Sequence, residues 1–219
     1  MATKRKVNNL LALAVLSAMI DRPKHRYEIA QALRQRGKEH DMDIKWGSLY
    51  TVVQNLEKVG YLEIVGSERD GARPERVIYQ LTEAGRAELI DWTRELVAVP
   101  EPEQHRFIAG LSIVSVLPPD DVVELLDKRI DALRHIIDGA RAEVDKVTAM
   151  GLPRLFIVES EFTLAMLNAE AAWARSFRDE IADGTFPEVD WWRRVHAENL
   201  SIAEVIDTVE RGMAEPEPS

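Results

Sequence analysis

A mostly α-helical fold, with one β-hairpin set among its first helices, is predicted by three observations. The 219-residue chain has only 11 Gly and 10 Pro among abundant Ala, Leu, Glu and Arg, a composition that favours helices. Apolar residues recur at helical spacing through residues 8–19, 27–36, 45–59 and 123–147. Between these, residues 61–65 and 76–81 are rich in β-branched and aromatic side chains and flank a charged loop, the pattern of a hairpin.

The elements follow in order. Leu10, Leu11, Leu13, Ala14 and Leu16 make residues 8–19 a broadly apolar helix, ended before Pro23. In the second helix, residues 27–36, Tyr27, Ile29, Ala30 and Leu33 face inward and Gly37 is placed to stop it. A polar KEHDMD turn leads to a third helix over 45–59, closed by Gly60. Leu49, Val52, Val53, Leu56 and Val59 form one face of it; Ser48, Thr51, Gln54, Asn55 and Lys58 form the other. After the hairpin, Thr82 is an N-cap for a fourth helix reaching residue 97.

The VPEPEQ segment, with two prolines one residue apart, divides the chain. Beyond it, a helix over 104–116 is followed by LPPDD, a helix-resetting segment. Val123, Leu126, Ile130, Leu133, Ile137, Ala140, Val144 and Val147 then alternate spacings of three and four, a heptad-like seam that needs a partner helix. GLPR breaks that helix. Residues 155–181 resume with Val158, Phe162, Met166, Ala169, Trp173 and Phe177 on one stripe, and a last helix carries Trp192, Val195, Ile202, Ile206 and Val209. The expected domains are 1–98, 99–211 and a disordered tail at 212–219, rich in Pro and Glu.

Composition removes several function classes. The chain has no cysteine, which excludes disulfides, thiolate metal sites and cysteine nucleophiles. His25, His40, His105, His135 and His196 are dispersed, with no HExxH pairing, and there is neither a phosphate-binding glycine loop nor GxSxG. No cofactor, metal or catalytic residue is expected. The start imitates a signal peptide, with basic residues ahead of an apolar run, but AMIDRPKH offers no small-residue cleavage site. The apolar run is about half the ~20 residues of a spanning helix, so the expected location is the cytoplasm.

The net charge of −10 hides an asymmetry. Residues 1–86 hold 15 Lys+Arg against 11 Asp+Glu, a net +4; residues 87–219 hold 13 against 27, a net −14. A mildly basic first segment can face phosphates while the acidic remainder faces solvent or a partner.

Three helices followed by a hairpin is the order of a winged helix-turn-helix, a module that reads DNA with its third helix. That gives a mostly α protein: an N-terminal winged helix-turn-helix with a two-stranded β-hairpin wing, then an all-α C-terminal dimerisation domain. On the third helix Gln54 and Asn55 suit base edges, and Ser48, Thr51 and Lys58 suit bases or phosphates. Gly47 allows close approach to the backbone, and Tyr50 can donate its hydroxyl to a phosphate. Arg69, Arg73 and Arg76, on or beside the hairpin loop, suit the phosphate backbone or a narrow minor groove.

The residues Gly47-Ser48-Leu49-Tyr50, Leu56-Glu57-Lys58-Val59-Gly60-Tyr61-Leu62 and Tyr79-Gln80-Leu81-Thr82-Glu83-Ala84-Gly85 resemble the winged helix of the PadR-type transcriptional regulators, as does the opening LALAVLSAMIDRPKHRYEIAQAL. The match covers residues 8–86; beyond it the chain is similar only in architecture to the family's larger members. Thr51 and Val53 stand where many members have Pro and Leu, and Gln54 and Asn55 where many have arginine. The resemblance implies a homodimer on a two-fold-related DNA operator, acting as a repressor that a small aromatic effector releases. Leu126, Ile130, Leu133, Ile137 and Val144 are the expected dimer residues, with packing inside the chain as the alternative. Trp92 and Trp173 are the candidate effector-pocket residues, with core packing as theirs. The competing function is a winged-helix protein-interaction or ligand-sensing module without specific DNA binding.

Overall fold

Asn9 opens the first helix by accepting a hydrogen bond from the Ala12 amide at 2.8 Å, which satisfies a backbone donor that the helix itself cannot. From there the computed structural model describes residues 5–38, 42, 44–68, 76–101 and 105–198. They fall into two units, residues 1–102 and 103–219.

The first unit is built on α1 (Leu10–Ala18), whose residues Leu11 to Leu16 are all buried. A helix apolar on nearly every side must be surrounded, and α2 (Arg26–Gln35), α3 (Leu49–Lys58) and α4 (Glu83–Ala98) pack around it. Ahead of α2, β1 (Lys24–His25) joins an antiparallel sheet in which β3 (Arg76–Leu81) is central and β2 (Leu62–Glu68) is the other edge. The expected hairpin is therefore part of a three-stranded sheet. A two-residue strand shows no periodicity, and β1 is defined only by pairing Lys24 with Tyr79 and His25 with Ile78. In the hairpin, Leu62 pairs with Leu81 and Ile64 with Tyr79; the register then shifts at Val65, a bulge that turns the wing.

The sequence signatures have local causes. α3 ends with Gly60 at φ +83°, where the Gly60 amide bonds to the Glu57 carbonyl and the Tyr61 amide to the Leu56 carbonyl, both at 2.9 Å. This Schellman closure needs a left-handed residue, which glycine adopts without strain. Thr82 then ties α4 to the same turn: its hydroxyl donates to the Gly60 carbonyl at 2.7 Å and accepts from the Gly85 amide at 3.0 Å. Gly85 has a steric reason, because a Cβ there would overlap the Tyr61 carbonyl oxygen and lie 2.8 Å from Leu81 Cδ1. These contacts join the LExxG and LTxxG segments into one corner.

Trp92 is buried in this unit's core at 4% exposure. The Arg5 guanidinium lies 5.2 Å from its ring centroid and pairs with Glu88 at 2.7 Å and with Glu95. Trp92 is thus a core residue roofed by an ion-pair cluster, not the wall of an effector pocket, since its ring faces packed neighbours and a guanidinium.

The second unit is helical. α5 (Arg106–Leu111) and a 3₁₀ turn (Val114–Val116) replace the single helix expected over 104–116. Ile113, at φ −126° and ψ 18°, has left helical geometry there. α6 (Pro119–Ala149) opens with proline and Asp120 and Asp121 in its first turn, suited to the positive end of a helix dipole. α7 (Val158–Ala182) runs back along it, and α8 (Val189–Ala197) closes the base, where the Trp192 indole donates to the Leu117 carbonyl at 2.9 Å. Residues 199–219, with the expected Ile202, Ile206 and Val209 and the tail, lie outside the described residues.

The packing of α6 corrects the expected dimer seam. Leu126 and Ile130 are buried against Ala174, Ile181, Val189 and Trp192. Leu133 and Ile137 are buried against Ala171, with Leu164 and Leu167 beside them. These four seam residues meet α7 of their own chain, and at 4–7% exposure they have no surface left for another. Val144, nearer the helix end, is half-buried.

The stripe read on α7 is the opposite face. Val158, Phe162, Met166 and Trp173 are 47–67% exposed. The small residues Ala171 and Ala174 are buried against α6 instead. α7 is therefore apolar on two sides, one of them uncovered.

Candidate nucleic-acid interface

The 3₁₀ turn Trp46–Ser48 feeds directly into α3, and its start is fixed from below. Trp46 packs against the core of the first unit, with the Arg34 guanidinium 4.2 Å from its ring centroid. Leu49, Val52, Val53 and Leu56 are buried, so the opposite face of α3 is committed to the outside. Tyr50 is 56% exposed, and Gly47, Thr51, Gln54, Asn55 and Lys58 are exposed with it. The spacings 50, 54, 58 and 51, 55 place these side chains on one helical face.

That face carries the chemistry for reading a duplex. Two neighbouring amides can make paired bonds to a base edge, flanked by a phenol and an ammonium able to reach phosphates. Ser48 is half-buried and its hydroxyl donates to the Lys45 carbonyl at 2.8 Å, so it braces the turn. Arg76 is exposed at the start of β3. Arg69 and Arg73 lie outside the described residues.

Two exposed side chains lie outside the candidates that the sequence offers. Lys45 is exposed just before the turn, and Tyr27 is 67% exposed at the start of α2. The start of α2 is held by a capping box: the Glu28 amide donates to His25 Nδ1 at 3.2 Å, and the His25 amide donates to the Glu28 carboxylate at 3.1 Å. Burial acts to raise the Glu28 pKa, but hydrogen bonds from Arg22 and the His25 amide outweigh it, and the net shift is downward. Asp21, bonded by Lys24, is also held below the usual carboxylate range. The HRYE stretch, with an acid three residues after a capping side chain, was the available signal.

In the second unit, Phe107, Trp173, Phe177, Phe186 and Trp192 form a continuous aromatic ladder, with successive ring centroids 5.3–6.4 Å apart. Arg129 lies over Phe107 at 3.6 Å and donates to Glu170. Trp173, within this ladder, is 48% exposed. An open depression of about 290 Å³, lined by Val147, Met150, Gly151, Leu152 and Pro153, sits where α6 turns toward α7; its apolar walls hold no polar group to orient a ligand. Among the described residues no cluster of His, Asp and Glu could hold a metal ion, and no helix is long and apolar enough to cross a membrane.

Residues 15–91 match the transcriptional regulator PadR-like family. No curated protein matches the chain in sequence. Among solved structures, the chain is similar to Bacillus subtilis PadR in complex with operator DNA, with a TM-score of 0.65 and 17% identity over 78% of this chain and 98% of that one. It is similar to Bacillus subtilis PadR in complex with p-coumaric acid at a TM-score of 0.63 and 18% identity, covering 78% and 97%. The Vibrio cholerae virulence activator AphA matches at 0.54 and 17%, covering 79% and 98%. At such identities the likeness is one of fold.

Proposed function

We propose, from the match of residues 15–91 to the transcriptional regulator PadR-like family, that the chain is a sequence-specific DNA-binding repressor acting as a homodimer on a two-fold-related operator. The observation that carries the reading is the outward face of α3, with Tyr50, Thr51, Gln54, Asn55 and Lys58 solvent-exposed on a helix whose other face is locked into the core. In winged-helix readers such a helix enters the major groove, and the wing, here with Arg69, Arg73 and Arg76, follows the backbone.

The dimer is carried by the uncovered stripe of α7. Its exposed Val158, Phe162, Met166 and Trp173 span about 22 Å at 1.5 Å per residue. An apolar ribbon of that length on a soluble unit marks an interaction surface. A second copy supplies the matching stripe, as two-fold assembly requires. Bacillus subtilis PadR binds p-coumaric acid; the corresponding proposal here is an aromatic carboxylate that releases DNA, with Trp173 as the aromatic contact.

Binding to fragments selected from genomic DNA, followed against salt, tests the DNA reading. With about six phosphate contacts per dimer, affinity should fall roughly a thousandfold between about 50 and 200 mM salt. Tyr50→Phe should weaken binding by about thirtyfold, the loss of one net hydrogen bond in each of two protomers. Failure to select any fragment would instead favour a winged helix that binds protein.

A further inference from the structure

Arg26, the first residue of α2, lies between the reading helix and the sheet. Its Nη2 donates to the Tyr79 hydroxyl at 2.6 Å and its Nε to the same oxygen at 3.2 Å. Its Cζ is 5.4 Å from the centroid of the Tyr50 ring. Tyr79 is only 2% exposed and sits on the central strand, paired with Lys24 on one side and Ile64 on the other. The phenol that holds the guanidinium is therefore fixed. The backbone that carries Arg26 is fixed as well, by the His25–Glu28 capping box immediately beside it.

Tyr50 is placed differently. It stands in the first turn of α3 at 56% exposure, with its ring outside the core. A half-solvated tyrosine has several staggered χ1 choices. A guanidinium beside the ring favours the one in which cation and π-face meet. Arg26 thus connects a rigid strand to a side chain whose orientation the core does not set.

We propose that Arg26 is a positioning residue for DNA reading: it takes its own position from Tyr79 and fixes the Tyr50 ring so that the hydroxyl is presented to the phosphate backbone before DNA arrives. This rests on the assignment of α3 as the DNA-facing helix. Preorganisation of this kind raises affinity by removing an ordering cost at binding. It leaves the count of neutralised phosphates unchanged, and that separates it from a direct Arg26–phosphate contact.

The test uses the full chain and the genomic fragment that the wild type binds most tightly, with affinity measured by fluorescence anisotropy across a salt series. Arg26→Ala is expected to bind about tenfold more weakly, from a modest cation–π term in each of two protomers, with the wild-type salt slope. Arg26→Lys should fail to restore binding, because an ammonium cannot hold the Tyr79 hydroxyl through two N–H groups while lying against Tyr50. Combining Arg26→Ala with Tyr50→Ala should be no weaker than Tyr50→Ala alone. Tyr79→Phe, which removes only the acceptor, should weaken binding in the same direction and decides the matter if Arg26→Ala does not fold.

Wild-type affinity in Tyr79→Phe, additive losses in the double variant, or rescue by lysine with a shallower slope in Arg26→Ala would each overturn the proposal. In those cases the wild type still binds DNA, and the reading of α3 stands. A wild type that binds no fragment overturns both.

Discussion

Gly85→Ala is expected to destabilise the winged-helix unit by about 3 kcal/mol or more, at the upper end of what an overpacking substitution costs. The added Cβ would overlap the Tyr61 carbonyl oxygen and press on Leu81 Cδ1 at 2.8 Å. A flexible side chain could move aside, but the Tyr61 carbonyl is backbone and already accepts the Thr82 amide at 3.1 Å. Relief requires α4 to shift away from the α3–β2 corner, which breaks the Thr82 hydroxyl bond to Gly60 and exposes Leu89 and Trp92 on the buried side of α4. Chemical denaturation monitored by circular dichroism should show a lower midpoint for the first transition. The same exchange at Gly139, within α6, is the control: a Cβ there meets nothing within 4 Å, so helix propensity alone should act, favouring alanine by up to about 1 kcal/mol. Equal effects at the two positions would contradict the steric account of the LTxxG glycine.

Phe162→Asp is expected to separate the proposed dimer while leaving each protomer folded. Phe162 is 67% exposed on α7 and contributes to neither helical core cluster, so a charge there costs the isolated chain little. Facing a second copy, each buried aromatic anchor is worth about 2 kcal/mol or more, and the substitution removes two and buries two like charges. Sedimentation should show the mass halved at micromolar concentration, and DNA affinity should fall by about a hundredfold or more, because one module alone binds weakly. Leu133→Asp gives the contrasting outcome. Leu133 is 5% exposed between α6 and α7, so a carboxylate there should unfold the second unit outright. A dimeric Phe162→Asp protein would place the interface elsewhere.

The two helices of the second unit show which parts of such a fold are legible in sequence. Hydrophobic spacing says that a face is buried; it does not say what buries it. The seam Leu126, Ile130, Leu133 and Ile137 was visible as a seam, yet its partner lies in the same chain. On α7 the large residues Val158, Phe162, Met166 and Trp173 form a stripe that faces out. The face that packs inward sets Ala171 and Ala174 among Leu164, Leu167 and Ile181; the alanines' small size lets two helices approach but leaves little hydrophobic signal. Helix α3 is easier to read, since it has one apolar face and one polar face and no competing stripe.

The wing shows a second limit. Composition predicts a strand over residues 76–81, and β3 has those bounds. β1 was invisible because two residues carry no alternation, and its existence depends on backbone pairing with Tyr79 and Ile78 far along the chain. Arg26 was missed for a related reason. Its role depends on Tyr50 and Tyr79, which only the folded chain brings beside it. Trp92 reads the other way: a tryptophan near a domain boundary suggests a pocket, while its burial and the Arg5 cluster above it make it core.

The most direct test of the account is a footprint of the full-length protein on the genomic fragment it selects. A two-fold dimer reading the major groove with α3 should protect two inverted half-sites, their centres about 10 base pairs, or a multiple of that, apart. Gln54→Ala and Asn55→Ala should erase base preference within the half-sites. A single unpaired footprint, or protection unaffected by those substitutions, would contradict it.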